Sequence, residues 1–91
     1  MTTIWKYEFA IADGLQTKEM PRAAEIVHVS EQGGLLCVWA LVVPQRAWEK
    51  RNFTVHGTGH PIDPDSVYRG TAHIGAFVWH LFEALEAGRS R

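Results

Sequence analysis

The sequence predicts a mainly-β fold, a small barrel or sandwich of about six or seven short strands forming one domain over residues 1–91. Three observations predict it. Apolar and polar residues alternate through most of the chain. Glycine and proline interrupt that alternation at short intervals. No internal repeat, linker or low-complexity tract marks off a second domain.

The first strand is read over Ile4–Ile11, where Trp5, Tyr7, Phe9 and Ile11 share one face and Lys6 and Glu8 the other. Ala12-Asp13-Gly14 supplies a turn, and Leu15–Met20 alternates weakly until Pro21 stops it. In Glu25–Glu31, Val27 and Val29 lie opposite Ile26, His28 and Ser30. Gln32-Gly33-Gly34 then reads as a hairpin turn, because glycine reaches positive φ without steric cost. Leu35–Val43 is apolar on both faces and ends at Pro44. Such a strand needs cover on each side, from a second subunit or from the middle of a sandwich or barrel.

Arg51–His56 alternates again, with Phe53 and Val55 inward and Asn52, Thr54 and His56 outward. A loop over Gly57–Ser66 precedes a strand at Val67–Ile74. The segment Ala76–Leu85 carries both signals: Phe77, Trp79 and Leu81 suit a strand face, while Ala84, Leu85, Glu86 and Ala87 favour helix. The reading adopted is a strand over Phe77–Phe82 with a short helical turn after it, an ordered core over 4–83 and fraying over 86–91.

Composition bounds the function without naming it. Nine Lys and Arg against ten Asp and Glu leave a net charge of −1, with 46% hydrophobic and 21% charged residues. These values exclude a disordered chain and remove bulk charge as a reason to bind nucleic acid or a membrane surface. No apolar run approaches the ~18 residues of a spanning helix, and Lys6 and Glu8 interrupt the start where a signal peptide is apolar. One cysteine, Cys37, cannot form an internal disulfide, which fits a reducing cytosol. A domain of this size hides only about 60–65% of its unfolded surface, so the ten aromatic residues are needed for a thin core. With an expected radius of gyration of roughly 12 Å, any ligand site is shallow or shared between subunits.

Gly57-Thr58-Gly59-His60-Pro61-Ile62 is the most distinctive stretch. Two glycines one residue apart let backbone N–H groups converge on an anion. Thr58 adds a hydroxyl, His60 an imidazole, and Lys50, Arg51 and Arg69 lie on the flanking strands. A phosphate held by charge-assisted hydrogen bonds is the functional reading, and a tight hairpin connection the structural one. The stretch is neither a phosphate loop nor a dinucleotide fingerprint, since no helix follows.

His56 and His60 are four apart, about 13 Å along an extended strand, too far to share a metal ion without a sharp curl that recruits His73 or Asp63. No metal or other cofactor is expected. Cys37 sits mid-strand as a small hydrophobe, Asp63 and Asp65 flank Pro64 in a turn, and neither Ser30 nor Ser66 lies in a nucleophile elbow. With no nucleophile, base and oxyanion set to assemble, no catalytic residue is assigned and a non-enzyme is expected.

Ile4-Trp5-Lys6-Tyr7, Glu19-Met20-Pro21, Trp39-Ala40-Leu41-Val42, the glycine stretch, Tyr68-Arg69-Gly70-Thr71 and His80-Leu81-Phe82-Glu83 follow one another along the chain. This series resembles a family of small uncharacterised proteins common in bacteriophage and prophage genomes, with Gly-Thr-Gly-His-Pro as its most specific part. The resemblance covers Ile4 to Glu83, and His56 is not part of the pattern. It implies a phage setting and the cytoplasm of a bacterial host, and it implies no reaction. By analogy of setting and size, it raises the class of proteins that sequester nucleotide signals of host defence.

The expected function is therefore non-enzymatic binding of a small phosphorylated ligand, a nucleotide immune signal among the candidates. Gly57, Thr58, Gly59 and His60 would cradle the phosphate, Arg51 and Arg69 neutralise it, and Trp48 or Tyr68 stack a base. The alternative is a protein–protein module, a virion accessory or an inhibitor of a host protein. A homo-oligomer is expected, with neither a membrane nor nucleic acid as partner.

Overall fold

A computed structural model describes residues 1–85 of the chain. They form seven strands: β1 (Thr3–Phe9), β2 (Gln16–Pro21), β3 (Glu25–Gln32), β4 (Leu35–Val42), β5 (Trp48–Gly57), β6 (Val67–Ile74) and β7 (Phe77–Ala84). All pairings are antiparallel, giving a three-stranded sheet β1-β4-β3 and a four-stranded sheet β2-β5-β7-β6. The predicted mainly-β domain is thus a two-sheet sandwich, 16 Å in its shortest extent, with a radius of gyration of 13.1 Å.

Alternation builds the core. Phe9, Leu36, Val38, Ala40 and Val42 from the first sheet meet Met20, Phe53, Val55, Ala72 and Leu81 from the second. Burial of each large member contributes about 1.5–3 kcal/mol. Phe9 and Phe53 tie the layers edge to face, with centroids 5.0 Å apart. At the β1–β2 connection the Gln16 amide stands in for a strand partner: its Oε1 accepts from Ala10 N and its Nε2 donates to Ala10 O.

β4 is the central strand of its sheet. Its inner face packs on the core, while on the other face Cys37 is fully buried and Trp39 and Leu41 half-buried. Much of the cover for the second face therefore comes from this chain's own flanking strands.

Two bulges alter the predicted facing. Between Ile26 and His28 the register with β4 slips by one, so Ile26 and Val29 both pack on the core while Val27 is exposed. An extra residue reverses the parity of everything beyond it. A second bulge, between Tyr68 and Gly70, inserts Arg69 into β6. Here β6 crosses close to β3: a Cβ on Gly70 would lie 2.4 Å from Val29 Cγ2.

Boundaries also shift. β1 stops at Phe9, β2 takes in Pro21, and β5 starts at Trp48. Proline is tolerated because β2 is an edge strand, paired only with β5. β7 continues to Ala84, which pairs with Asn52, so the helical turn predicted after Phe82 is replaced by strand through Ala84. Helix propensity is worth tenths of a kcal/mol per residue and yields to a ladder on β5 and to burial of Glu83. No helix forms among the described residues. The fraying expected for 86–91 lies outside them.

Candidate functional site

The glycine stretch closes β5 as a β-turn. His60 N donates to Gly57 O at 3.2 Å, and Gly59, the third residue, has φ +91°, the signature of a type II turn. Gly57 N donates back to His60 Nδ1 at 3.0 Å. With Nδ1 accepting, the neutral imidazole carries its proton on Nε2, which is left as a donor. The ring lies edge to face with Trp79, the cross-strand partner of Gly57, with centroids 6.4 Å apart. A Cβ on Gly57 would sit 3.1 Å from His60 Cε1 and 3.3 Å from Trp79 Cζ3, so the missing side chain is what lets the imidazole fold back.

Next to this turn the β6–β7 hairpin leaves a cleft of about 530 Å³, walled by Thr58, His60, Ala76, Phe77 and Trp79. The volume falls within the usual range for small-molecule sites, and the composition follows their pattern of aromatic walls with few polar groups. Phe77 is 67% exposed, an aromatic surface left uncovered at the mouth.

On the outer face of the four-stranded sheet, the turn is tied to a hydrogen-bonded chain. Thr58 Oγ1 bonds His80 Nε2, and His80 Nδ1 bonds Thr71 Oγ1, each at 3.0 Å. Thr71 Oγ1 also bonds the Tyr68 hydroxyl. A neutral imidazole has one donor and one acceptor, so His80 fixes one threonine hydroxyl as donor towards it and the other as acceptor. Phe82 packs its ring between His56 and Tyr68, and His56 Nε2 bonds Thr54 Oγ1 at 2.8 Å. Tyr68 and Thr58 are thus joined through Thr71 and His80, two residues that belong to the resemblance segments but not to the expected ligand contacts. The bulge at Arg69 lets Tyr68 and Thr71, three apart, share that outer face.

The predicted cations are elsewhere. Arg51 is 5% exposed, pointing into the sandwich with Phe53 and Val55. Its Nε and Nη2 grip the two oxygens of Glu83, each at 2.7 Å, and Nη1 donates to Ala24 O at 2.6 Å. Arg69 donates to Glu83 Oε1 from Nε at 2.9 Å and from Nη2 at 2.7 Å. Burial pushes the Glu83 carboxyl up, but the hydrogen bonds and charges of the two guanidinium groups outweigh it and hold the carboxyl below its ordinary value. The same hydrogen bond raises Arg51, partly offset by burial. Arg51 is therefore a core residue, and its assignment to a phosphate is corrected. Arg69 shares the same carboxylate.

Trp48 is likewise separated from the turn. It opens β5 while Gly57 closes it, roughly 30 Å of extended strand apart, and it packs on Trp5 at 5.8 Å. Of the residues expected together, Gly57, Thr58, Gly59 and His60 form one turn; Tyr68 packs on Phe82 and reaches Thr58 only through Thr71 and His80, and Arg51, Arg69 and Trp48 lie elsewhere. His56 faces out from the sheet and His60 folds against Trp79. Among the described residues no group of three or more His, Cys, Asp or Glu is placed to hold a metal ion.

Residues 1–90 match the model of a family described as a domain of unknown function (DUF7352). No curated protein and no solved structure matches the chain.

Proposed function

The chain belongs to the DUF7352 family, and from that premise we propose that it is a non-enzymatic binding protein for a small planar ligand bearing a phosphate, held between the turn at 57–60 and the β6–β7 hairpin. The observation that carries this reading is the cleft itself: Phe77 and Trp79 offer ring surface, while Thr58 and the Nε2–H of His60 offer polar contacts. A nucleotide satisfies both halves, its base stacking on the aromatic wall and its phosphate accepting at the turn. With Arg51 and Arg69 committed to Glu83, neutral donors supply the anion contacts and set a modest affinity. Sequestration of a nucleotide signal in a phage-infected cell is the biological role this chemistry would serve.

Thermal denaturation against a panel of mononucleotides and cyclic dinucleotides tests the reading. A ligand present at a hundred times its Kd stabilises the folded state by about 2.7 kcal/mol, and His60→Ala and Phe77→Ser should abolish the shift. No shift from any nucleotide at millimolar concentration would overturn it.

A second reading, a protein–protein module, rests on the outer face of β1-β4-β3. There Ile4, Leu41 and Trp39 form an apolar stripe rimmed by Lys6 on β1 and Glu25 on β3. A second copy across a twofold axis would cover the stripe and bring the opposite charges together. Light scattering at micromolar protein separates a dimer from a 10.3 kDa monomer.

A further inference from the structure

At the other end of the sandwich from the glycine turn, two turns lie against each other. Pro21-Arg22-Ala23-Ala24 links β2 to β3 and is closed by Ala24 N donating to Pro21 O at 3.2 Å. Val43 to Arg46 begins the link from β4 to β5 and is closed by Arg46 N donating to Val43 O at 3.0 Å. The two are joined by Arg22 N donating to Ala47 O at 2.8 Å and by Arg46 Nη1 reaching Arg22 O at 3.4 Å. Between them opens a cleft of about 450 Å³, lined by Arg22, Ala23, Arg46 and Ala47. The small alanine side chains leave it open, and both arginines are exposed.

Three features set this place apart. Neither Arg22 nor Arg46 forms an ion pair with a carboxylate among the described residues, whereas Arg51 and Arg69 do. Arg46 is steadied by the Arg22 carbonyl, a bond that leaves most of its N–H donors uncommitted. Ala23 has φ +61°, the one non-glycine residue with positive φ among those described. That conformation costs about 1–2 kcal/mol for an L-residue with a Cβ, so the surrounding contacts hold the turn in a strained shape. The Ala23 N–H donates to Glu49 Oε2 at 3.4 Å, so that donor is taken and the two arginines are the groups left to hold an anion.

We propose that Arg22 and Arg46 form an oxyanion site for a phosphate group, distinct from the cleft beside the glycine turn. Guanidinium groups present planar pairs of N–H donors that match two oxygens of a phosphate, and two of them on adjoining turns can grip one tetrahedral anion from both sides. Glu49, which accepts from the Ala23 N–H, and Glu25, which follows Ala24, are acidic neighbours of the turn that oppose anion binding there. Trp48, next to Ala47 and 55% exposed, gives an aromatic group attached to that phosphate a surface to pack on. The phosphate can be free or can belong to a nucleotide.

Nuclear magnetic resonance of the full chain, following arginine Nε–Hε and backbone amide signals, tests the site with inorganic phosphate and with AMP, each against sodium chloride at equal ionic strength. The expected result is a saturable shift of Arg22, Arg46, Ala23 and Ala47 with phosphate and none with chloride. Arg22→Ala and Arg46→Ala should each weaken phosphate binding about tenfold, the value of one charge-assisted hydrogen bond, and the lysine variants should weaken it less. Tighter binding of AMP, with quenching of Trp48, assigns the phosphate to a nucleotide; equal affinities assign it to phosphate alone. Shifts matched by chloride, or binding unchanged in both alanine variants, would overturn the proposal. Thr58 and Gly59 signals report the other cleft separately, so failure at either place is distinguishable from failure at the other.

Discussion

Replacing Arg51 by alanine removes a guanidinium that is 5% exposed and makes three hydrogen bonds, two to Glu83 at 2.7 Å and one to Ala24 O at 2.6 Å. Breaking a buried pair by deleting one partner costs about 3–5 kcal/mol, because the other charge is left in a poorly solvated place. Arg69 still holds Glu83 Oε1 through two donors, which places the expected loss near the lower end, about 3 kcal/mol. For a domain of this length that lowers the melting temperature by roughly 12–24 °C. Glu83→Ala should cost more, since it leaves the buried Arg51 guanidinium without its carboxylate and beside the partly exposed guanidinium of Arg69. Arg69→Ala should cost about 1 kcal/mol, because its side chain is 32% exposed and the Arg51–Glu83 pair survives it. Urea denaturation followed by tryptophan fluorescence gives all three values. A loss below about 1 kcal/mol for Arg51→Ala, or equal losses for Arg51→Ala and Arg69→Ala, would refute the placement of Arg51 in the core.

The same carboxylate makes stability depend on pH. Glu83 is held below its ordinary value of 4.5 in the folded chain, so its contribution is complete above that value and is lost as pH falls through the lower folded value. The urea midpoint of the native chain should therefore drop more steeply below about pH 4.5 than that of Glu83→Gln; parallel profiles would contradict this. Tyr7→Phe removes a buried hydroxyl that has no hydrogen-bond partner among the described residues, and should leave stability unchanged or raise it by up to about 1 kcal/mol. A clear loss in the same urea assay would mean that the hydroxyl is satisfied. Gly70→Ala puts a Cβ 2.4 Å from Val29 Cγ2 and 2.6 Å from its Cβ, where β6 crosses β3. Overpacking there should cost about 1–3 kcal/mol, and a neutral result would argue against so close a crossing.

The architecture was legible because alternation is a direct imprint of a two-layer β fold. Trp5, Tyr7 and Phe9 on one face, and Phe53 and Val55 on another, were read correctly from parity alone. Parity also held the answer for Arg51, which shares the inward register of Phe53, yet its charge suggested a ligand contact and its partner was out of sight. Glu83 lay in a segment whose alanines and leucine favour helix, and nothing local shows that β7 runs beside β5. Bulges are invisible for a related reason. The slips at Val27 and Arg69 depend on how neighbouring strands cross, so Ile26 and Val29 facing together contradicts simple alternation. At the candidate site, Gly57, Thr58, Gly59 and His60 are adjacent in sequence and were found by composition. His80 and Thr71 became visible only once register set His80 beside Thr71 and opposite His56. Trp48 is expected as a base-stacking partner for the turn from its bulk and its place before Arg51–His56; β5 begins at Trp48 and ends at Gly57, so ten residues of extended strand hold the two apart.

We propose that the cleft between the glycine turn and the β6–β7 hairpin holds a small phosphorylated ligand. The most direct test is a titration of the isotopically labelled chain with whichever nucleotide raises its melting temperature most, following backbone amides and the tryptophan indole N–H signals. The expected result is saturable movement of Thr58, Gly59, Phe77 and the Trp79 indole, lost in His60→Ala, with Arg51 and Glu83 undisturbed. Saturable binding that leaves those four signals unmoved, or no binding at millimolar nucleotide, would contradict the claim.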